Sequence, residues 1–94
     1  MKVKWSLVAK EQLREITRFY NKRNGSPCYG NRLKSHIRRI VRYIKVSPLY
    51  GEYLEIENKR RVCIEYFELI YEVKEDEGVV EISSFRDARR NWER

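Results

Sequence analysis

Ninety-four residues, 41% apolar and 37% charged, are too few for a second core and too apolar for a disordered chain, so residues 1–94 read as a single small domain. The net charge of +7 directs attention to anionic partners: nucleic acid, an acidic protein or an acidic membrane surface. Two cysteines, Cys28 and Cys63, without CxxC spacing exclude a disulfide scaffold and a thiolate metal signature, and no apolar run approaches the roughly 20 residues of a membrane span.

The charge is unevenly spread. Residues 1–47 hold 13 Lys and Arg against 2 Asp and Glu, whereas residues 48–94 hold 8 against 12. The basic field therefore belongs to the first half. The segment Met1 to Lys10 is mixed in character rather than a signal peptide, and free thiols suit a reducing compartment, so a cytoplasmic location is expected, with no membrane association.

In chain order, Lys2-Val-Lys-Trp5 alternates and suits a short strand with Val3 and Trp5 on one face. Ser6 can cap a helix whose apolar stripe is Ala9, Leu13, Ile16, Phe19 and Tyr20. Gly25 can close that helix in the left-handed conformation. Ser26-Pro27 opens a second helix, as cap and first helical residue. Its stripe is Tyr29, Leu33, Ile37, Ile40, Val41 and Ile44, and Ser47-Pro48 ends it. The remainder of this helix is largely basic: Arg32, Lys34, Arg38, Arg39, Arg42 and Lys45. It offers either a solvated face or a surface for nucleic acid or an acidic partner.

Residues 49–58 read as a turn-like connection around Gly51. Residues 59–65 and 67–74 are strands rich in β-branched and aromatic residues, with Phe67, Leu69, Tyr71 and Val73 on one face and Glu68, Ile70, Glu72 and Lys74 on the other. Glu75 to Gly78 forms a turn, residues 79–85 the last strand, and Arg86 to Arg94 a polar, basic tail. The order β-α-α-β-β-β predicts an α+β fold: an antiparallel two-helix hairpin packed on one face of a mainly antiparallel sheet, the other face left open for a functional groove. His36 and Trp5 are read as boundary and core residues.

These elements carry a resemblance. Val3-Lys-Trp-Ser6, Ala9, Gln12-Leu13, Asn24-Gly-Ser26, Ser47-Pro48 with Gly51, the strand Phe67-Glu-Leu-Ile-Tyr-Glu-Val73 and the ending Ile82-Ser-Ser-Phe-Arg-Asp-Ala-Arg-Arg-Asn91 together resemble toxins of the RelE/ParE superfamily over nearly the whole chain. The resemblance implies the toxin component of a bacterial type II toxin–antitoxin system, neutralised by a cognate antitoxin, with no cofactor and no metal. It leaves a homodimer and a toxin–antitoxin hetero-oligomer both open. ParE-like members poison DNA gyrase, and RelE-like members cleave mRNA on the ribosome.

Against the ribonuclease branch, Lys59 and Arg61 fall at two basic positions, while Glu68 and Asp87 stand where arginines are expected, with Arg86 and Arg89 flanking the latter. The catalytic tyrosine position falls near Glu93, beside Trp92. If the chain is a nuclease, Lys59, Arg61, Arg86 and Arg89 are the candidates for catalysis. A carboxylate at Glu68 would repel a scissile phosphate. The ParE-like reading, growth inhibition through gyrase, is therefore placed first. Ribosome-dependent mRNA cleavage follows, then a non-toxic basic domain that binds nucleic acid or protein. The expected target-binding residues are Arg86, Arg89, Arg90, Asn91 and Trp92, together with Lys59, Arg60 and Arg61. Arginine beside an exposed aromatic suits base stacking and protein hot spots alike.

Overall fold

The computed structural model describes residues 1–91 and the side chains of residues 1–89. Strand β1 (Lys2–Trp5) leads to helices α1 (Leu7–Asn24) and α2 (Cys28–Val46). Strands β2 (Glu52–Leu54), β3 (Lys59–Ile64), β4 (Phe67–Lys74) and β5 (Val79–Asp87) follow, and a short helix, α3 (Ala88–Asn91), comes last. The five strands form one sheet in the order β1-β5-β4-β3-β2, antiparallel except for the parallel pair β1–β5. The expected α+β architecture is the one observed.

Local chemistry accounts for the helix ends. The Ser6 hydroxyl accepts the Ala9 N–H at 3.0 Å and starts α1. Gly25, at φ 66°, closes it, and the Ser26 N–H reaches back to the Asn21 carbonyl at 3.1 Å. The Ser26 hydroxyl then accepts the Cys28 N–H at 3.1 Å, but α2 starts one residue later than Ser26-Pro27 predicts: Pro27 is at the cap position and Cys28 is the first helical residue.

The core lies between the helices and one sheet face. Leu33, Ile37, Ile40 and Ile44 of α2 meet Ile64, Phe67, Leu69, Tyr71, Val80, Ile82 and Phe85, all under 8% exposed. Each such side chain contributes about 1.5–3 kcal/mol on burial. From α1, Ala9 is buried and Leu13, Ile16 and Tyr20 are packed at the margin. Phe19, expected on the same stripe, is 56% exposed. It stands edge-on to Tyr20, with ring centroids 5.0 Å apart, and turns away from the sheet.

Three features differ from the sequence reading. Residues 49–58 are not only a connection, because Glu52–Leu54 pairs with β3 as a short edge strand. The last strand runs on to Asp87, so Arg86 belongs to the sheet rather than to a tail. The sheet face away from the helices is also not wholly open: Ile70 is 1% exposed there, between its cross-strand neighbours Arg61 and Ser84.

A bulge in β5 shapes everything beyond it. Ile70 pairs with Ser84 and Tyr71 with Ile82, so Ser83 is the extra residue. The face alternation therefore changes phase. Ile82 and Phe85 both reach the core, Arg86 points away from the helices, and Asp87 points towards them. Helix α1 holds the irregular backbone in place: the Gln12 side-chain oxygen accepts the Phe85 N–H at 2.8 Å, and the Ser6 hydroxyl donates to the Ser83 carbonyl at 3.0 Å.

Candidate functional site

Two clusters surround the end of β5. The first lies on the sheet face away from the helices. Pleating divides the run Lys59-Arg60-Arg61: Lys59 and Arg61 take that face, and Arg60 takes the other. Arg61 is paired with Glu52 and, at 3.0 Å, with Glu68. Glu68 also pairs with Arg86 at 3.4 Å, and Arg86 lies 3.9 Å from Glu57. Among the described residues the result is a ladder of three carboxylates and two guanidiniums. Glu68, with only 12% of its side chain exposed, is the shared rung. The hydrogen bonds from Glu52 and Glu68 hold the Arg61 guanidinium above its ordinary pKa, against a smaller opposing effect of burial.

Arg60 serves the loop. Its guanidinium donates to the Gly51 carbonyl at 2.8 Å and the Leu49 carbonyl at 3.3 Å, and it lies 5.3 Å above the Tyr53 ring. The same loop is tied to Tyr71, whose hydroxyl donates to the Pro48 carbonyl and accepts the Gly51 N–H, both at 2.7 Å. A Cβ on Gly51 would come within 2.9 Å of the Tyr71 ring and hydroxyl, so this close approach requires glycine.

The second cluster lies where β5 passes into α3, and Arg89 is its centre. Its guanidinium pairs with both carboxylate oxygens of Asp87 at 3.3 Å, donates to the Tyr20 hydroxyl at 2.7 Å and lies 4.2 Å over the Tyr66 ring. The Asp87 hydrogen bond holds it above its ordinary pKa. Tyr66 sits at the tip of the β3–β4 hairpin, and its carbonyl accepts the Ala88 N–H at 2.9 Å. The preceding residue, Glu65, has φ 56°, and its carboxylate accepts from the Tyr29 hydroxyl at 3.3 Å. Burial, with Glu65 alongside, raises the Tyr29 phenol to about 12.

Beside Arg89, a groove of about 610 Å³ is lined by Glu15, Ile16, Phe19, Tyr20, Arg23 and Asp87. Exposed aromatic surface and cations meet here on rigid elements. Half-exposed and braced on three sides, Arg89 is preorganised for a partner's carbonyl, carboxylate or aromatic group.

The expected site residues are thus distributed. Arg61 and Arg86 meet through Glu68, Lys59 shares their face, Arg60 is turned to the loop, and Arg89 forms a separate centre. Arg90 and Asn91 lie in α3, with side chains beyond the described atoms. Trp92 and Glu93 lie outside the described residues. Phe19 and Tyr20, expected on the core stripe of α1, and Tyr66, expected at a strand end, were not among the expected site residues. Of these, Tyr66 carried a signal: an aromatic residue placed between two strands sits at a hairpin tip, exposed. Among the described residues no three His, Cys, Asp or Glu side chains form a group that could hold a metal, and no helix is long and apolar enough to cross a membrane.

The chain is similar to known proteins in both sequence and fold. Residues 3–92 match the family model of the ParE toxin of type II toxin–antitoxin system, parDE. No curated protein matches significantly. A solved structure of the chromosomal ParDE toxin–antitoxin system from P. aeruginosa superposes with a TM-score of 0.76 at 21% identity, over 93% of this chain and 95% of that one. That likeness shows the shared fold, and the sequence model shows the family: the chain belongs to the ParE toxins of type II toxin–antitoxin systems.

Proposed function

We propose that this toxin arrests growth by acting on DNA gyrase, and that a cognate antitoxin encoded with it neutralises it. The observation that carries this reading is the ladder on the sheet face. Cleavage of RNA at a 2′-hydroxyl needs cations free to stabilise a charged phosphorane. Here Arg61 and Arg86, the guanidiniums described on that face, are engaged by three carboxylates. A phosphate placed on the ladder would have to displace carboxylates from both guanidiniums. A target protein, by contrast, finds an anchor in Arg89 with its aromatic neighbours and the adjoining groove. Arg90, Asn91 and Trp92, next in the chain, would extend that contact.

The test is induction without antitoxin, alongside a supercoiling assay with purified toxin and gyrase. The expected outcome is inhibited supercoiling, DNA damage signalling and intact mRNA. Messenger RNA cut in the ribosomal A site, with supercoiling unaffected, would overturn the proposal in favour of a RelE-like nuclease, and harmless induction would leave a non-toxic binding domain. Arg89→Ala combined with Arg90→Ala should weaken gyrase inhibition about 30-fold or more, as loss of a hot spot does. Full potency in a double mutant that still folds would remove Arg89 from the contact.

A further inference from the structure

Helix α2 carries six cations, Arg32, Lys34, Arg38, Arg39, Arg42 and Lys45, and no acidic residue over its 19 residues. All six are exposed. Elsewhere four arginines are matched by carboxylates: Arg14 by Glu11, Arg61 and Arg86 by the ladder, and Arg89 by Asp87. Among the described residues no cation of α2 takes part in an ion pair. Arg32 stacks on Tyr29 at 5.4 Å, and Arg38 donates to the Ser35 hydroxyl at 3.1 Å. Since Leu33, Ile37, Ile40 and Ile44 fix the buried side of the helix, the six cations are spread over its exposed arc, with Lys34 at the flank next to α1.

From this geometry we infer that the outer face of α2 binds the phosphate backbone of duplex DNA without reading its sequence. Arg32 to Lys45 spans about 20 Å of helix. Over that length one strand of a duplex presents about six phosphates. Four of the six cations are arginines, whose forked donors suit phosphate oxygens. On α2 the large apolar side chains that are exposed lie towards its C-terminal end, at Tyr43 and Val46. An acidic protein segment would need apolar anchors that the middle of this face lacks. Polyanion binding needs none, because it is driven by release of condensed counterions. Single strands call for a run of stacking rings, and the middle of this face has none. The inference is independent of the gyrase reading, and gyrase is absent from its test.

The test is fluorescence anisotropy of the full chain with a short mixed-sequence DNA duplex, read as a function of salt. Six phosphate contacts predict about a 1,000-fold loss of affinity between roughly 50 and 200 mM salt. The triple variant Arg38→Gln, Arg39→Gln, Arg42→Gln should lower the slope of log affinity against log salt by roughly 0.9 per cation removed. The charge-matched triple variant Lys2→Gln, Lys4→Gln, Lys74→Gln, on the opposite sheet face, should leave that slope unchanged. The single variant Arg39→Gln, expected to lose roughly 0.9, keeps the test decisive if the triple variant does not fold. Equal losses in the two triple variants would overturn the proposal, since net charge alone would then explain binding. Binding to a duplex RNA or to a polyglutamate peptide at least as tight as to DNA would overturn it as well.

Discussion

Single residues in this chain are held by partners far away in sequence. Tyr71 reads as a core aromatic from its place in an alternating strand, and it is fully buried. Its hydroxyl, however, also closes the loop at Pro48 and Gly51, and no local pattern announces that contact. Tyr29 was legible as a helix-stripe residue, while its bond to Glu65 depends on the hairpin tip swinging under α2. The phenol is raised to about 12 from an ordinary value of 10, so the folded state favours its neutral form. Its contribution to stability is therefore complete below pH 10 and is lost as pH rises towards 12. Tyr71 is raised too, mainly by burial, and acts in the same direction. Urea unfolding measured from neutral to strongly alkaline pH should show stability falling across that window, and Tyr29→Phe should make the fall shallower. An unchanged pH profile in the variant would show that the phenol is not held neutral by the fold.

At the scale of elements, periodicity decided most of the outcome. Both helices, the two long hairpin strands and the turn at Gly78 follow from stripe, cap and alternation. Strand β2 was missed because three residues are too short for a pattern, and it exists through pairing with β3. The bulge was missed for a different reason. Ser83 and Ser84 have no strong preference for either face, and only the partner strand and α1 impose the phase change. Gln12 belongs to this device, since it caps the Phe85 N–H that the bulge leaves without a regular ladder partner. Gln12→Ala should therefore destabilise the fold by about 1–3 kcal/mol in urea unfolding, the cost of a buried donor left unsatisfied. Gln12→Glu, which retains an acceptor, should cost less. Loss of under about 0.5 kcal/mol in the alanine variant would mean that the bulge does not need α1.

The two faces of the molecule are organised differently: among the described residues the cations of α2 take part in no ion pair, whereas Arg61, Arg86 and Lys74 on the sheet face are paired with carboxylates. Its stability should be graded by position in the sheet. In hydrogen exchange, amides of β4 and β5, paired on both sides and facing the helices, should be protected most, and those of the edge strand β2 least among the strands. Protection of β2 equal to that of β4 would contradict this gradient. By itself the sequence determined the α+β class, both helices, the core stripe and the separation of charge between the halves, because these follow from local periodicity and composition. It also placed a carboxylate, Glu68, among expected cations. Only the tertiary structure decided that Glu68 bridges Arg61 and Arg86, that Arg60 faces the loop and that Arg89 is braced by Asp87, Tyr20 and Tyr66. Strand register, a single extra residue in β5 and side-chain partners up to 69 positions apart set those arrangements, and none of them is a local property of the chain.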